Sequence, residues 1–161
     1  MIEIVRGNIV DATEKYIAHQ CNCLTQNSAG AAKAIFDKYP HADTYSMRVE
    51  PDVLGTIKIL GNGEDQRYVI NMFAQYYPGR TKYPSSNKDG IHVRQKSFHR
   101  CLIRIAKVED LKSIAFPWRI GCNLAGGDWE WYLGTLHNFA KYVEEKQGTL
   151  VRVYRRLEDE I

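Results

Sequence analysis

Two hydrophobic periods alternate along the chain. Short apolar or alternating runs predict strands in "IEIV" (2–5), "KYIAHQ" (15–20), "SIAFPW" (113–118) and "TLVRVYRR" (149–156). A further run, "VLGTIKIL", alternates from Val53 to Leu60, with Gly55 marking a bulge or a close approach. The polar turn "GNGEDQR" then leads into "YVINMF" (68–73), which is expected to pair back on it as a hairpin. Helical spacing governs the segments between. "AGAAKAIFDKYP" is stopped by Pro40, residues 91–110 carry Ile91, Phe98, Leu102, Ile105 and Val108 on one face, and 128–148 ends at Gly148.

Strands that alternate with helices and close on a strand predict an α/β fold, a three-layer α/β/α sandwich around one central sheet. The hairpin makes that sheet mixed rather than all parallel. There is no repeat, low-complexity tract or linker, so residues 1–161 read as one domain. The irregular stretch from Ala74 to Gly90, "AQYYPGRTKYPSSNKDG", is too rich in Pro, Gly, Ser and Tyr to be an element. Loops of that length in a compact domain tend to be lids or mobile functional segments.

Composition narrows the setting without choosing a function. With 44% hydrophobic and 25% charged residues among 161, the chain can bury a core without disulfides or metals. No apolar run is long enough to span a bilayer, and the N-terminal residues are not patterned as a signal peptide, so no membrane partner and a cytoplasmic setting with four reduced cysteines are expected. A net charge of +3 tolerates an anionic ligand but does not demand nucleic acid, and no Lys/Arg run stands out.

The chemistry concentrates in residues 17–34, "IAHQCNCLTQNSAGAAKA". Cys21-x-Cys23 has no second close pair and no spaced histidines to complete a zinc site, and no Cys-x-x-Cys redox pair exists. No metal or cofactor is therefore expected. The small residues Ser28, Ala29, Gly30, Ala31 and Ala32 run straight into a helix, whose N-terminal N–H groups a phosphate can approach; Ser28 read blandly is only an N-cap. A second strand–glycine loop–helix junction follows at "FPWRIGCNLAGGDWEWY", 116–132. Two such junctions in one sheet suit a diphosphate, and the alternative is two ordinary turns that need glycine for their backbone angles.

Both segments resemble macrodomains. "VRGNIVDATEKYIAHQCNCLTQNSAGAAKAIFDKYPHAD" is similar to the family's opening, and "IAFPWRIGCNLAGGDWEW" resembles its second ligand loop. The resemblance spans nearly the whole chain. It is closest to the branch of fungal-type ADP-ribose 1″-phosphate phosphatases and terminal ADP-ribose–glutamate hydrolases. It implies that Asn8, with Ile9 beside it, accepts a hydrogen bond from an adenine amino group, where many members have Asp, and that Asn22 bonds the distal ribose. It further implies that Ser28, Ala29, Gly30 and Ala31 wrap one side of a diphosphate, and Gly121, Cys122, Asn123, Leu124 and Ala125 the other.

For catalysis, His19 is the expected proton donor or nucleophile, with Asp128 as its carboxylate partner; the bland readings are a histidine held under the loop and a helix N-cap. The glutamate-linked hydrolases use a Lys after the central strand and an Asp in the second loop. Here the strand end reads "INMFAQ" and Ala125 stands at the loop position, which disfavours that route. The resemblance thus implies a ligand, ADP-ribose or ADP-ribose 1″-phosphate, and a metal-independent phosphatase acting on the latter. The alternatives are an ADP-ribose reader without turnover, or a hydrolase releasing ADP-ribose from a modified macromolecule. Nucleic acid is expected as a partner only if it is itself ADP-ribosylated. Tyr76, Tyr77 and Tyr83 in the long loop are candidates to cover the distal ribose, with Arg80, Lys82 and Lys88 near a terminal phosphate. Of Trp129 and Trp131, one is expected in the core and one nearer the site or surface.

Overall fold

A computed structural model describes residues 1–160. Strands β1 (Ile2–Arg6), β2 (Tyr16–Asn22), β3 (Ile57–Leu60), β4 (Tyr68–Gln75), β5 (Ser113–Pro117) and β6 (Leu150–Arg155) form a single sheet in the order β1-β6-β5-β2-β4-β3. All neighbours are parallel except the β3–β4 hairpin at one edge, so the sheet is mixed as expected. Helix α1 (Gly30–Lys38) covers one face, and α2 (Ile91–Ala106) and α3 (Trp129–Gln147) cover the other. The fold is the predicted three-layer α/β/α sandwich. None of its helices is long and apolar enough to cross a membrane, among the described residues.

The two cores follow from alternation along the central strands. On β2, Tyr16 and Ala18 point to the α2/α3 side, while Ile17 and Cys21 point to α1 with Ile35 and Phe36. Strand β4 is buried along nearly its whole length because both of its faces are covered. Two boundaries differ from the sequence reading. The strand expected from Val53 begins only at Ile57: Val53 is exposed, and Gly55, at φ +84°, turns the chain so that its N–H donates to the Phe73 carbonyl. Strand β5 stops at Pro117, which leaves Trp118 in the following loop.

The register places His19 beside Asn71 of β4, both fully buried. Asn71 Nδ2 donates to the Ala42 carbonyl at 2.9 Å, so its Oδ1 must accept, and His19 Nε2 donates to it at 2.7 Å. The imidazole also meets the Phe36 ring edge-to-face. Burial pulls its pKa down to about 4, with the Asn71 bond offsetting part of that shift. It is neutral at pH 7.

That depression has a sign that can be tested. Between pH 6.5 and about 4 the unfolded chain takes up a proton at His19 that the folded chain refuses. Stability from this group is complete above pH 6.5 and falls as pH drops towards 4, by about 3 kcal/mol in all. Urea unfolding of the native protein and His19→Gln at several pH values in this window should give a shallower pH slope for the variant. Superimposable slopes would mean that His19 titrates freely in the folded state.

Candidate ligand site

A cleft of about 470 Å³ opens beyond the carboxyl ends of β2 and β5. These neighbours are in register only at Tyr16–Ile114 and Ile17–Ala115. Beyond that point the chain leaves β2 for α1 on one face and leaves β5 for α3 on the other. A crevice at such a divergence is where open α/β sheets hold ligands.

The first wall is built around Asn22. One extra residue in β4 shifts the register so that Asn22 lies opposite Gln75. Its Oδ1 accepts from the N–H groups of Leu24 and Thr25, both at 2.9 Å, which turns the chain sharply. From behind, the Asn22 N–H bonds the Tyr45 hydroxyl at 2.7 Å and its carbonyl accepts from Arg48 Nη1 at 3.2 Å. The chain then enters α1 through Ala29, an N-cap position with no side-chain cap bond. The first-turn N–H groups therefore keep their capacity to bind an acceptor from the cleft. Gly30 sits at φ +58°, and a Cβ there would lie 3.0 Å from Leu124 Cδ1 of the opposite wall.

The second wall, residues 118–127, is set by glycine and strain. Gly121 has φ +78°, with Tyr132 so close that a Cβ would stand 2.6 Å from its ring; the Gly127 N–H closes the loop on the Gly121 carbonyl at 3.0 Å. Arg119 holds the left-handed conformation at φ +60° without being glycine. Unlike α1, α3 is capped: Asp128 accepts from the Glu130 N–H at 3.1 Å. The second junction thus meets the cleft through its loop and not through its helix end.

At one end of the cleft stand Asn8, Ile9, Trp118, Tyr154 and Arg156, and at the other Gln20, Gln75, Pro78 and Gly79. Gln20 Nε2 donates to Gln75 Oε1 at 2.7 Å, and Gln75 Nε2 to the Tyr77 carbonyl at 3.0 Å, so neutral amides floor this second end. The long 76–90 loop beside it is anchored by one buried pair. Asp89 Oδ1 accepts from Arg94 Nη2 at 2.6 Å and Nε at 3.1 Å, while Oδ2 accepts from the Lys82 and Tyr83 N–H groups at 2.7 and 2.9 Å. Arg94 also reaches the carbonyls of Gly79 at 2.6 Å and Ala125 at 3.5 Å, and so ties the loop to the second wall. Burial alone would raise the Asp89 carboxyl; the Arg94 and backbone hydrogen bonds outweigh it and hold the pKa below the ordinary value.

Of the residues singled out in the sequence, Asn8, Ile9, Asn22, Ala29, Gly30, Ala31, Gly121, Cys122, Asn123, Leu124 and Ala125 line the cleft together. Ser28 is outside the lining and makes no cap bond to α1. The expectation for His19 is corrected: it points under α1 to Asn71, sealed from the cleft. Asp128 is corrected likewise, being the exposed N-cap of α3 and not a partner of His19. The loop tyrosines meet one another edge-to-face, Tyr76 with Tyr77 and Tyr77 with Tyr83 at 5.0 Å, and none lines the cleft. Trp129 and Trp131 are both half-buried, the first against Trp118 and the second against Phe98 and Tyr132, so neither is the core residue expected.

The sequence reading missed Gln20, Asn27, Tyr45, Gln75, Trp118, Arg119, Tyr154 and Arg156 in the lining. Most lie at or just after the carboxyl end of a parallel strand, which is the signal that could have found them. Among the described lining residues there is no His, Lys, Asp or Glu. Burial pushes the Cys122 thiol up to about 12, and burial with a Glu14 contact raises the Tyr154 phenol. No three His, Cys, Asp or Glu side chains among the described residues are grouped to hold a metal ion.

With this geometry the solved structures that resemble the chain include several macrodomains. The macrodomain of Mycobacterium tuberculosis DarG superposes with a TM-score of 0.70 at 20% identity, covering 96% of this chain and 97% of that one. The macrodomain of Thermus aquaticus DarG gives 0.63 at 23%, covering 96% and 98%. A Trypanosoma brucei macrodomain in complex with ADP-ribose gives 0.66 at 17%, covering 99% of this chain and 65% of that one. No protein-family model matches the sequence, and no curated protein matches it. The chain has the macrodomain fold.

The Asp89–Arg94 pair yields a prediction about the site's frame. Arg94→Met strands a buried carboxylate and should cost about 3–5 kcal/mol in urea unfolding. Adding Asp89→Asn should recover part of it by removing the stranded charge. If the single variant loses less than about 1 kcal/mol, the pair is no stronger than a surface ion pair.

Proposed function

We propose that the protein binds ADP-ribose in this cleft and holds it without turning it over. The observation that carries the reading is the uncapped N-terminus of α1 facing the 121–125 loop across the cleft. A diphosphate there meets unpaired backbone N–H groups and the positive end of the helix. The adenosine half lies towards Asn8, Ile9 and Trp118, where an aromatic face and an amide carbonyl suit a purine. Asn8 Oδ1 already accepts from the Val10 N–H at 3.2 Å, and an amide oxygen has a second lone pair for an amino group. The distal ribose lies towards Gln20 and Gln75. The T. brucei macrodomains solved with ADP-ribose and with ADP support a ligand of this class in this fold.

Retention is favoured over phosphatase action by the lining itself. Hydrolysis of ADP-ribose 1″-phosphate needs a proton donor for the leaving ribose oxygen, or a nucleophile on phosphorus. The described lining residues offer amides, backbone, aromatic rings and two arginines; burial leaves Cys122 without a thiolate to attack phosphorus at pH 7 and makes the Tyr154 phenol a weaker acid than usual.

Ala31 provides the test. It is exposed at the start of α1, where an acidic side chain favours the helix but repels a diphosphate. Ala31→Glu should leave the unfolding midpoint unchanged or slightly higher. In calorimetry it should weaken ADP-ribose by about a hundredfold, roughly 3 kcal/mol of repulsion in a partly screened site. ADP-ribose 1″-phosphate should bind the native protein without releasing phosphate. Unweakened binding in Ala31→Glu would sink the cradle, and phosphate release by the native protein would restore the phosphatase.

A further inference from the structure

Charge is distributed very unevenly along this chain. Residues 76–108 contain eight Lys and Arg against a single carboxylate, Asp89, which is buried and committed to Arg94. The whole chain carries 22 Lys and Arg against 19 acids, so the remainder is net acidic and this segment alone is strongly basic. In the fold the cations become a line. Lys96, Arg100, Arg104 and Lys107 recur at spacings of three and four residues along the solvent face of α2, and all are exposed. A merely solvated face usually alternates signs, because Glu and Lys a turn apart support each other. Here α2 has no acid at all, and Lys96, Arg100 and Lys107 have no ion-pair partner among the described residues. Arg104 only donates through Nε to the Gly55 carbonyl at 3.1 Å.

The surroundings of this line specify what it can hold. A shallow groove lined by Ile57, Arg100, Ile103, Arg104 and Lys107 runs between α2 and edge strand β3. Stable protein–protein contacts centre on an apolar core with charge at the rim. This groove sets three cations and no acid beside two isoleucines, and its charge, all of one sign and continued by Lys96 along α2, matches an elongated polyanion better than a folded partner. The N-terminal end of α2 adjoins the 76–90 loop, where Arg80 packs against Gly126 of the second wall and Lys82 is exposed. The line therefore starts beside the amide-floored end of the cleft and leads away from it.

We infer that the exposed face of α2 is a second binding surface, for the phosphodiester backbone of a nucleic acid strand held without regard to base sequence. The contact is electrostatic, from Lys96, Arg100, Arg104 and Lys107 to successive phosphates. It does not depend on what occupies the cleft, so either reading can fail alone.

Fluorescence anisotropy with a labelled mixed-sequence single strand of about 15 nucleotides tests it. With four phosphates neutralised, affinity should fall roughly fiftyfold between about 50 and 200 mM salt. The charge reversal Arg100→Glu with Lys107→Glu should abolish strand binding while leaving ADP-ribose calorimetry unchanged, and the milder Arg100→Gln with Lys107→Gln should weaken it about tenfold. Circular dichroism checks that both variants fold. Binding that is absent, or that survives both substitutions, overturns the inference. So does displacement by polyglutamate as effective as by unlabelled strand, which would make the surface a dock for acidic protein.

Discussion

The cleft depends on one buried ion pair that lies outside its lining. Asp89 accepts four hydrogen bonds, two from Arg94 and two from the backbone of its own loop, and Arg94 extends to carbonyls on both sides of the cleft's far end. An irregular segment of this length has no ladder to satisfy its backbone. A buried carboxylate that gathers N–H groups on one side and a guanidinium that gathers carbonyls on the other supply the missing partners. The expected lid is thereby hydrogen-bonded to the rim of the cleft, and its tyrosines meet edge-to-face in a row along the loop.

The two glycine-rich junctions look alike in sequence and behave differently in the fold. At α1 the cap position holds Ala29, so the helix end is left for something other than its own side chains. At α3 Asp128 satisfies the helix, and the loop before it is held by Gly121 packed against Tyr132 and by strained Arg119. One wall presents donors and the other presents shape. Leu124, reaching across to Gly30, sets how closely the walls approach.

Much of this was legible beforehand. Periodicity found each strand and α-helix and the mixed character of the sheet, because both central strands are buried on two faces and their apolar runs are unmistakable. It found none of the short 3-10 turns at 9–11, 40–42 and 157–160. Both loops were recognisable through the macrodomain resemblance, since small residues before a helix by themselves fit two ordinary turns nearly as well. What failed was orientation. His19 lies in the right segment, but strand alternation turns it under α1, and a motif does not reveal which face a residue takes. Asp128 was ambiguous because a cap and a catalytic carboxylate are the same residue type at the same kind of place. Trp118, Tyr154 and Gln75 join the cleft from three separate strand ends, a convergence that only the strand order discloses. The basic face of α2 was invisible as a run because its members are spread by helical spacing.

The short β2–β5 contact has a consequence for how the molecule comes into being. These strands sit side by side at the middle of the sheet yet are separated in the chain by two other strands and two helices, and β5 fits between β2 and the last strand, β6. Both walls therefore belong to contacts of high sequence separation, which are the slow ones to form. An emerging chain that has completed its first hairpin and α2 possesses only half a cradle. The donors at the head of α1 stay in water until the closing strands arrive, so the completed cleft is among the last features the fold acquires.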